Sequence, residues 1–359
     1  MSSSQKVKVP QIEVKRVAKP PYVIDRSTLK RFSNKNIIFE RVMWDPSWKG
    51  YMRMYDEKVP SLIEDGKLGY SRVDFALGYA SWIVHDAFEG GFSRIKIKPY
   101  RASAGTIGID LTKTKYEVKN PHKMSNYTKR AAKLLGASLV GICKLNRDWL
   151  YTEADIPDKF ENVIVMAVEM DADGIATSPA VPAAAATGVG YSKMAFILAC
   201  IGEFVRNLGF EAIQCGNDTA LSVPLAIDAG LGELGRNGLL ITPQYGPRVR
   251  LCKVFTDLPL DSDKPIEFGV KDFCKKCKLC AKNCKADAIS MDDEPNFEVT
   301  CRSNNAGALK WYVNGELCYQ FWCENGIDCS TCVSVCPYNT ASERKAKVTP
   351  MKFWSIVRY

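Results

Sequence analysis

Apolar segments of two kinds alternate through the middle of the chain. Short apolar runs at Ser138–Ile142 and Asn162–Glu169 predict strands, and the second has the continuous pattern of a strand buried on both faces. Tyr191–Leu208 has the spacing of a helix, and Phe210–Gln214 predicts a further strand after it. This alternation predicts an α/β core over residues 125–262.

The pattern before this core is less regular. Aromatic residues are scattered between residues 1 and 124, where Ser71–Phe88 predicts a helix and the Asn120-Pro121 pair predicts a break. Ser125–Leu135 predicts the next helix, with Ser125 at its N-cap. We expect residues 1–124 to form an N-terminal region that packs on the core.

The composition changes after a polar, Pro-containing segment at 261–265. Ten of the 14 Cys lie between Cys274 and Cys336. Residues 263–345 are therefore predicted to form a separate metal-binding domain, followed by a basic, aromatic tail at 346–359.

The overall composition narrows the class of protein. A chain of 359 residues with 46% hydrophobic and 25% charged residues is typical of a globular protein of two or three domains, and it excludes a disordered or collagen-like chain. Fourteen Cys beside only two His indicate metal ligation rather than a disulfide framework, and they exclude a site built from several imidazoles. The formal charge of +9 is compatible with nucleic acid, an anionic membrane or no specific partner.

No membrane or export segment is predicted. The most apolar helical stretch, Met194–Leu208, carries Glu203 and Arg206 and is shorter than the ~20 apolar residues that span a bilayer. The polar residues 1–16 lack the apolar region of a secretory signal. Removal of a presequence before residue 1 stays open as an alternative.

The cysteine spacing is the strongest chemical signal. Cys274-x2-Cys277-x2-Cys280-x3-Cys284 matches the run by which bacterial ferredoxins bind a 4Fe–4S cluster, with the fourth Cys ligating the other cluster. Structural zinc needs only two Cys pairs. The second run, Cys329-x2-Cys332-x3-Cys336-Pro337, lacks its first Cys, and the candidates upstream are Cys318 and Cys323. In bacterial ferredoxins the fourth Cys of each run ligates the cluster of the other run, which we call the crossing rule. This rule predicts one cluster on Cys274, Cys277, Cys280 and Cys336, and another on Cys284, Cys329, Cys332 and Cys318 or Cys323.

A glycine motif also matches a known fingerprint. Gly230-x-Gly232-x-x-Gly235 has the spacing of a dinucleotide-binding loop, but the extended segment 239–243 follows where that fingerprint requires a helix. A glycine-rich loop that approaches a different large cofactor is the favoured interpretation.

Together these segments resemble the corrinoid-dependent reductive dehalogenases. The resemblance is carried by 222–243, 245–251 and 256–259 and by the cysteines, and it covers about residues 125–345. It includes Cys318, eleven residues before Cys329, which favours Cys318 over Cys323. It implies a nitroreductase-like α/β (α+β) domain that binds a base-off corrinoid, beside a ferredoxin-like domain with two 4Fe–4S clusters.

The resemblance also implies site residues. The catalytic residues would be Tyr191, Asn217 and Arg250, with Arg248 as the alternative to Arg250. The corrinoid contacts would be Thr187, Tyr191, Leu234, Gly235, Arg236, Asn237, Gly238 and Thr242. Replacing a carbon–halogen bond by carbon–hydrogen consumes two electrons and one proton. A phenol can donate that proton if an adjacent Arg stabilises the phenolate.

The implied activity is removal of halogen from a small organohalide, with a chlorinated alkane expected first and a chlorinated ethene second. Respiratory members work with a small membrane anchor subunit and an upstream electron donor. We expect a mature form on the outer face of the cytoplasmic membrane, with a cytoplasmic relative as the alternative.

Two other functions are compatible with part of this pattern. Epoxyqueuosine reductase uses the same cofactors on tRNA, but Tyr191 stands where that enzyme's motif carries an acidic proton donor. Two clusters of about −2 each lower the formal +9 to roughly +5, so no nucleic-acid partner is expected. The other rival is an electron-transfer ferredoxin with an attached binding domain, which would carry no corrinoid.

Overall fold

The structure is a computed structural model that describes residues 12–48, 57–87 and 114–342. Its strands are β1 (Lys15–Arg16), β2 (Leu139–Lys144), β3 (Asn162–Glu169), β4 (Ala212–Cys215), β5 (Glu233–Leu234), β6 (Leu240–Ile241), β7 (Val249–Thr256) and β8 (Ile266–Glu267). Its α-helices are Ile38–Trp44, Val59–Glu64, Arg72–Ala80, Ile83–Ala87, Pro121–Leu134, Ala172–Ala176, Val181–Asn207, Ser222–Asp228, Val270–Cys277, Leu279–Lys282, Gly315–Asn325 and Thr331–Ser334. The predicted tail at 346–359 lies outside the described residues.

A four-stranded sheet in the order β2-β3-β7-β4 forms the centre of the core. All its pairings are antiparallel, and Val165 of β3 lies opposite Gly141 of β2 and Lys253 of β7. The mixed α/β class is therefore confirmed, in the α+β arrangement of strands and helices.

Strand β3 is buried on both faces, as its continuous apolar run predicts. Ile164, Met166 and Val168 pack with the long helix Val181–Asn207 on one face. The residues between them pack on the other face against a second cluster, which includes Trp149. Burying each such side chain contributes about 1.5–3 kcal/mol, so this strand holds the two halves of the core together.

The long helix begins ten residues before the predicted start at Tyr191, because the alanine-rich segment from Val181 continues it. Tyr191 therefore lies in the middle of the helix. Val181–Asn207 is the one helix among the described residues that is long enough and apolar enough to cross a membrane, judged by length and composition alone. The prediction that the apolar helix is too short rested on Met194–Leu208, and it was wrong because the helix extends back to Val181. Most of its apolar window is buried inside the protein, however, and one such helix is weak support for a membrane span.

Two other helix boundaries differ from the prediction. The helix Pro121–Leu134 starts at the predicted break, since the Asn120 side chain accepts from the Lys123 amide and Pro121 fits the first turn. Ser125 is not its N-cap; it is buried within the helix, and its Oγ contacts the main chain of Asp261.

The predicted helix at 71–88 is two helices separated near Ser81, and Phe88 lies outside the described residues. The first begins with a capping box in which Ser71 and Asp74 satisfy each other's main-chain amides.

The N-terminal segment runs across both parts of the protein. Strand β1 pairs with β8 next to the cysteine-rich region. Further on, the Tyr22 hydroxyl donates to Asp228 of the core, 2.7 Å away, and the Leu309 amide donates to the Val23 carbonyl, 2.9 Å away. This N-terminal segment therefore lies beside the space between the core and the cysteine-rich region.

Candidate functional site

Three residues that are distant in sequence meet beside the long helix. The Asn217 side-chain amide, on the loop after β4, donates a hydrogen bond to the Tyr191 hydroxyl oxygen. The guanidinium carbon of Arg250, on β7, lies 5.0 Å from the centre of the Tyr191 ring. Since an amide nitrogen only donates, the Tyr191 oxygen accepts here and its own O–H is left available.

Arg250 contacts the long helix and lies within electrostatic range of the buried Asp328 carboxylate. Its Nη2 donates to the Thr187 hydroxyl at 3.2 Å, whereas its buried Nε has no hydrogen-bond partner among the described residues. Gly190 makes room for this side chain, because a Cβ there would lie 3.0 Å from Arg250 Cγ. The unpartnered Nε indicates that a further group belongs beside Arg250.

A cavity of about 900 Å³ opens next to these three residues. This volume is at the upper end of the range for ligand sites. Its walls are mostly aromatic and aliphatic, and the N-terminal segment, the long helix and the cysteine-rich region all contribute to them. Tyr22, Phe39, Trp82, Trp149, Tyr319 and Trp322 are among the lining residues. The cavity can therefore hold a group much larger than a small organohalide.

Trp82 and His85 are site residues that the sequence did not identify. The Trp82 ring stacks on Tyr191 with centroids 4.7 Å apart, and the His85 ring meets Tyr191 edge-on at 5.2 Å. Gly188 permits this contact, because a Cβ there would lie 2.6 Å from Trp82 Nε1. Trp82 is one of the scattered N-terminal aromatics, but no periodicity connects it to a residue more than a hundred positions away.

The cavity contains some of the predicted corrinoid contacts and not others. Thr187, Tyr191, Leu234 and Gly238 line it. Gly235, Arg236, Asn237 and Thr242 are not among its lining residues.

Two of these four residues and the alternative Arg248 serve local structure or the cysteine-rich region. Thr242 is fully buried and closes a turn by bonding the Gly246 carbonyl. Arg236 donates to main-chain carbonyls of the cysteine-rich region. Arg248 pairs with the Glu169 carboxylate at 2.8 Å and does not line the cavity, so the position beside Tyr191 belongs to Arg250.

The thiols of the cysteine-rich region fall into two groups. Cys274, Cys277, Cys280 and Cys336, the first thiol group, line one small cavity and lie within electrostatic range of one another. The thiols of Cys284, Cys318, Cys329 and Cys332, the second thiol group, interact in the same way. These are the two sets that the crossing rule gives.

Cys323, the alternative to Cys318, lies elsewhere. It is fully buried in an apolar cluster with Trp48 and Tyr319. The structure therefore brings Cys318, and not Cys323, to the second thiol group.

The thiols are buried enough to need a positive partner to ionise. Burial raises the pKa of Cys274 to about 11 and that of Cys280 and Cys318 to about 12. In the described part of the chain, no three His, Cys, Asp or Glu side chains are placed to hold a single metal ion. Each thiolate of a 4Fe–4S cluster binds a different iron, so its ligands stand farther apart than those of one ion, and buried thiols of this kind suit such a group.

Known proteins are similar to this chain in sequence and in fold. The chain is 33% identical over 379 residues to a tetrachloroethene reductive dehalogenase of Sulfurospirillum multivorans, which covers 88% of this chain and 74% of the relative. It is 40% identical over 272 residues to a tetrachloroethene reductive dehalogenase of Desulfitobacterium hafniense, covering 62% of this chain and 49% of that protein. The chain thus spans about half the length of the Desulfitobacterium relatives. No protein-family model matches.

Solved structures agree with the fold. A reductive dehalogenase structure described as suggesting a mechanism for B12-dependent dehalogenation superposes with a TM-score of 0.68 at 22% identity, over 93% of this chain and 46% of that one. The catabolic reductive dehalogenase NpRdhA, in complex with 3-bromo-4-hydroxybenzoic acid, gives 0.66 at 22% identity, over 91% of this chain and 44% of its own. The chain belongs to the reductive dehalogenase family, and the predicted fold class is confirmed.

Proposed function

We propose that this chain catalyses reductive dehalogenation: it replaces the halogen of a small organohalide by hydrogen and releases halide. The observation that carries the proposal is the arrangement around Tyr191. Its free O–H lies on the wall of a large cavity, its oxygen is bonded by Asn217, and the Arg250 cation is next to its ring. A positioned proton donor next to a stabilising cation is what hydrogenolysis requires of the protein.

The residues of the cavity fit a corrinoid. The volume, the aromatic walls and the unpartnered Arg250 Nε leave room and a donor for a large group with polar edges. Thr187, Leu234 and Gly238 would hold it. A bound corrinoid would supply the two electrons that break the carbon–halogen bond.

The chain's own residues would supply the proton. The Tyr191 O–H proton goes to the carbon that loses the halogen, and the phenolate left behind is stabilised by the Arg250 charge and by the hydrogen bond from Asn217. Solvent then returns a proton to Tyr191. The stacked Trp82 ring fixes the phenol and excludes water from that side.

We propose that the two thiol groups bind the 4Fe–4S clusters. The first cluster would take Cys274, Cys277, Cys280 and Cys336, and the second Cys284, Cys318, Cys329 and Cys332. The second thiol group borders the cavity through Asp328, the neighbour of Cys329, so its cluster would lie nearer the cavity. Electrons would enter at the first thiol group and leave at the second.

A chlorinated ethene is the first candidate substrate. The relatives that are 33–40% identical bear the name tetrachloroethene reductive dehalogenase, so this order reverses the sequence-based expectation of a chlorinated alkane. A location at the outer face of the cytoplasmic membrane, with a small anchor subunit and an upstream donor, remains our proposal. Epoxyqueuosine reductase is less favoured, since the match to the Listeria monocytogenes enzyme covers 33% of this chain.

The test is halide release by the purified, cofactor-loaded chain, with reduced viologen as donor and tetrachloroethene, trichloroethane and chloroform as substrates. Tyr191→Phe should lower the rate by about 10²–10⁴-fold, the range for loss of a general acid, with cobalt and iron contents unchanged. Tyr79→Phe, in the same cavity, is the matched control. A wild-type chain that binds eight irons but no cobalt, or a fully active Tyr191→Phe variant, would contradict the proposal.

A further inference from the structure

Arg236 is a buried cation beside the first thiol group. It is 1% exposed, and its guanidinium lies 4.3 Å from the centre of the Trp311 ring. All its hydrogen bonds in the structure go to main-chain carbonyls: Cys274 at 3.1 and 3.0 Å, Ser290 at 2.7 Å and Asp292 at 2.7 Å. The side chain also lines the cavity that the first thiol group surrounds. Its charge is therefore fixed in place next to those thiols.

The guanidinium of Arg236 is hydrogen-bonded by neutral groups, whereas two neighbouring lysines form ion pairs and a third, Lys282, is exposed to solvent within electrostatic range of Cys277. Lys275 pairs with Glu294 at 2.8 Å, and Lys278 pairs with Asp293. The carboxylates of Asp292 and Asp293 are within electrostatic range of Arg236, but neither carboxylate accepts a hydrogen bond from it in the described residues. A guanidinium keeps its proton in proteins, so a full positive charge remains beside the first thiol group.

The second thiol group has different surroundings. The side chains that bond it are uncharged: the Ser178 hydroxyl contacts Cys329 Sγ at 3.8 Å, and the Asn237 amide donates to the Cys332 carbonyl at 3.3 Å. Arg236 and Asn237 are adjacent in sequence, so one short segment places a cation beside the first thiol group and a neutral amide beside the second.

We propose that Arg236 raises the reduction potential of the cluster on the first thiol group, so that this cluster accepts an electron more readily than the other. The inference rests on the proposed function for the presence of clusters. One-electron reduction takes such a cluster from about −2 to −3, and a fixed cation in a weakly polar environment stabilises the more negative state. No bond forms or breaks. The electron would then rest on the cluster farther from the cavity until the substrate reaction draws it onward.

The experiment is a potentiometric titration of the eight-iron chain, followed by electron paramagnetic resonance. We expect Arg236→Gln, which removes the charge but keeps an amide donor, to lower one midpoint potential and leave the other unchanged. A tenfold change in the one-electron equilibrium corresponds to ~59 mV. Arg236→Lys should keep the wild-type midpoints. Arg302→Gln removes an exposed cation of the same region, whose guanidinium lies 5.3 Å from the centre of the Trp44 ring, and should change neither midpoint.

Unchanged midpoints in the Arg236→Gln variant would overturn the inference, as would an equal shift of both. If that variant loses iron, Arg236→Lys decides: wild-type midpoints support a charge effect, and a lowered midpoint shows that the guanidinium hydrogen bonds matter instead. Failure of the proposed function has a different signature, since the wild-type chain would then lack cobalt or halide release while its midpoints could still be measured.

Discussion

Lys253 is an unusual residue for the middle of a sheet, and its removal tests how Asn217 is positioned. It lies on β7, is 0% exposed, and its Nζ donates to the Gly216 carbonyl at 2.7 Å and the Ser222 hydroxyl at 3.0 Å. These two acceptors flank the loop that carries Asn217. We predict that Lys253→Met loosens this loop and weakens the Asn217–Tyr191 contact.

The expected magnitude follows from the two lost bonds. Each acceptor left buried without a donor costs about 1–3 kcal/mol. Burial lowers the pKa of Lys253, so the wild-type chain already bears a desolvation cost that Met would relieve. The net loss in free energy of unfolding should be about 2 kcal/mol. Displacing Asn217 by a fraction of an ångström to 1 Å should lower kcat by about 10–100-fold.

The assay compares kcat for halide release, cobalt and iron content, and apparent Tm across a double-mutant cycle. If Lys253 acts through Asn217, then Lys253→Met in an Asn217→Ala background should lower kcat little further. Ser222→Ala removes one of the two acceptors and should have a smaller effect. Independent, multiplicative losses in the double variant, or a Lys253→Met variant with wild-type kcat and cofactor content, would refute the reasoning.

Three further predictions follow from burial and spacing. Cys318→Ala should lower the iron content from eight to about four, whereas Cys323→Ala should keep eight irons and only reduce stability, as counted by iron and sulfide assay. Burial raises the pKa of the Cys252 thiol to about 12 from its ordinary 9.0; the folded chain keeps this proton after the unfolded chain loses it, so the free energy of unfolding should fall by up to ~1.4 kcal/mol per pH unit between these values, and Cys252→Ala should flatten that decline. Gly188→Ala places a Cβ 2.0 Å from Ser81 Oγ and 2.6 Å from Trp82 Nε1, so it should displace the segment that carries the Trp82 ring and lower halide release; an unchanged rate would contradict a role for the stack.

Features that are local in the chain could be predicted from the sequence, and features that depend on tertiary contacts could not. The ferredoxin-type run from Cys274 to Cys280 lies in two short consecutive helices, so its spacing alone places three thiols together. The resemblance supplied Tyr191, Asn217 and Arg250 for the site. Trp82 could not be predicted as a site residue, because it contacts Tyr191 through a tertiary contact that leaves no periodicity in the sequence. The start of the long helix was missed because its alanines lack the apolar–polar alternation that marked the later turns.

The glycine motif has a structural explanation that the spacing alone could not supply. Strands β5 and β6 form a hairpin, and a Cβ at Gly232 would lie 2.1 Å from the Ile241 carbonyl oxygen. Gly235 faces the same residue, with a Cβ at 2.8 Å from the Ile241 side chain. The glycines therefore allow the two strands to pack closely, which is a different role from cradling a dinucleotide phosphate.

The same hairpin contributes residues both to the large cavity and to the cysteine-rich region. Leu234 and Gly238 face the large cavity, while Arg236 and Asn237 between them reach the cysteine-rich region. A turn that presents residues to opposite sides over so few positions fixes the distance between the cavity and both thiol groups. Any insertion in this turn should therefore disturb cofactor binding and electron delivery together.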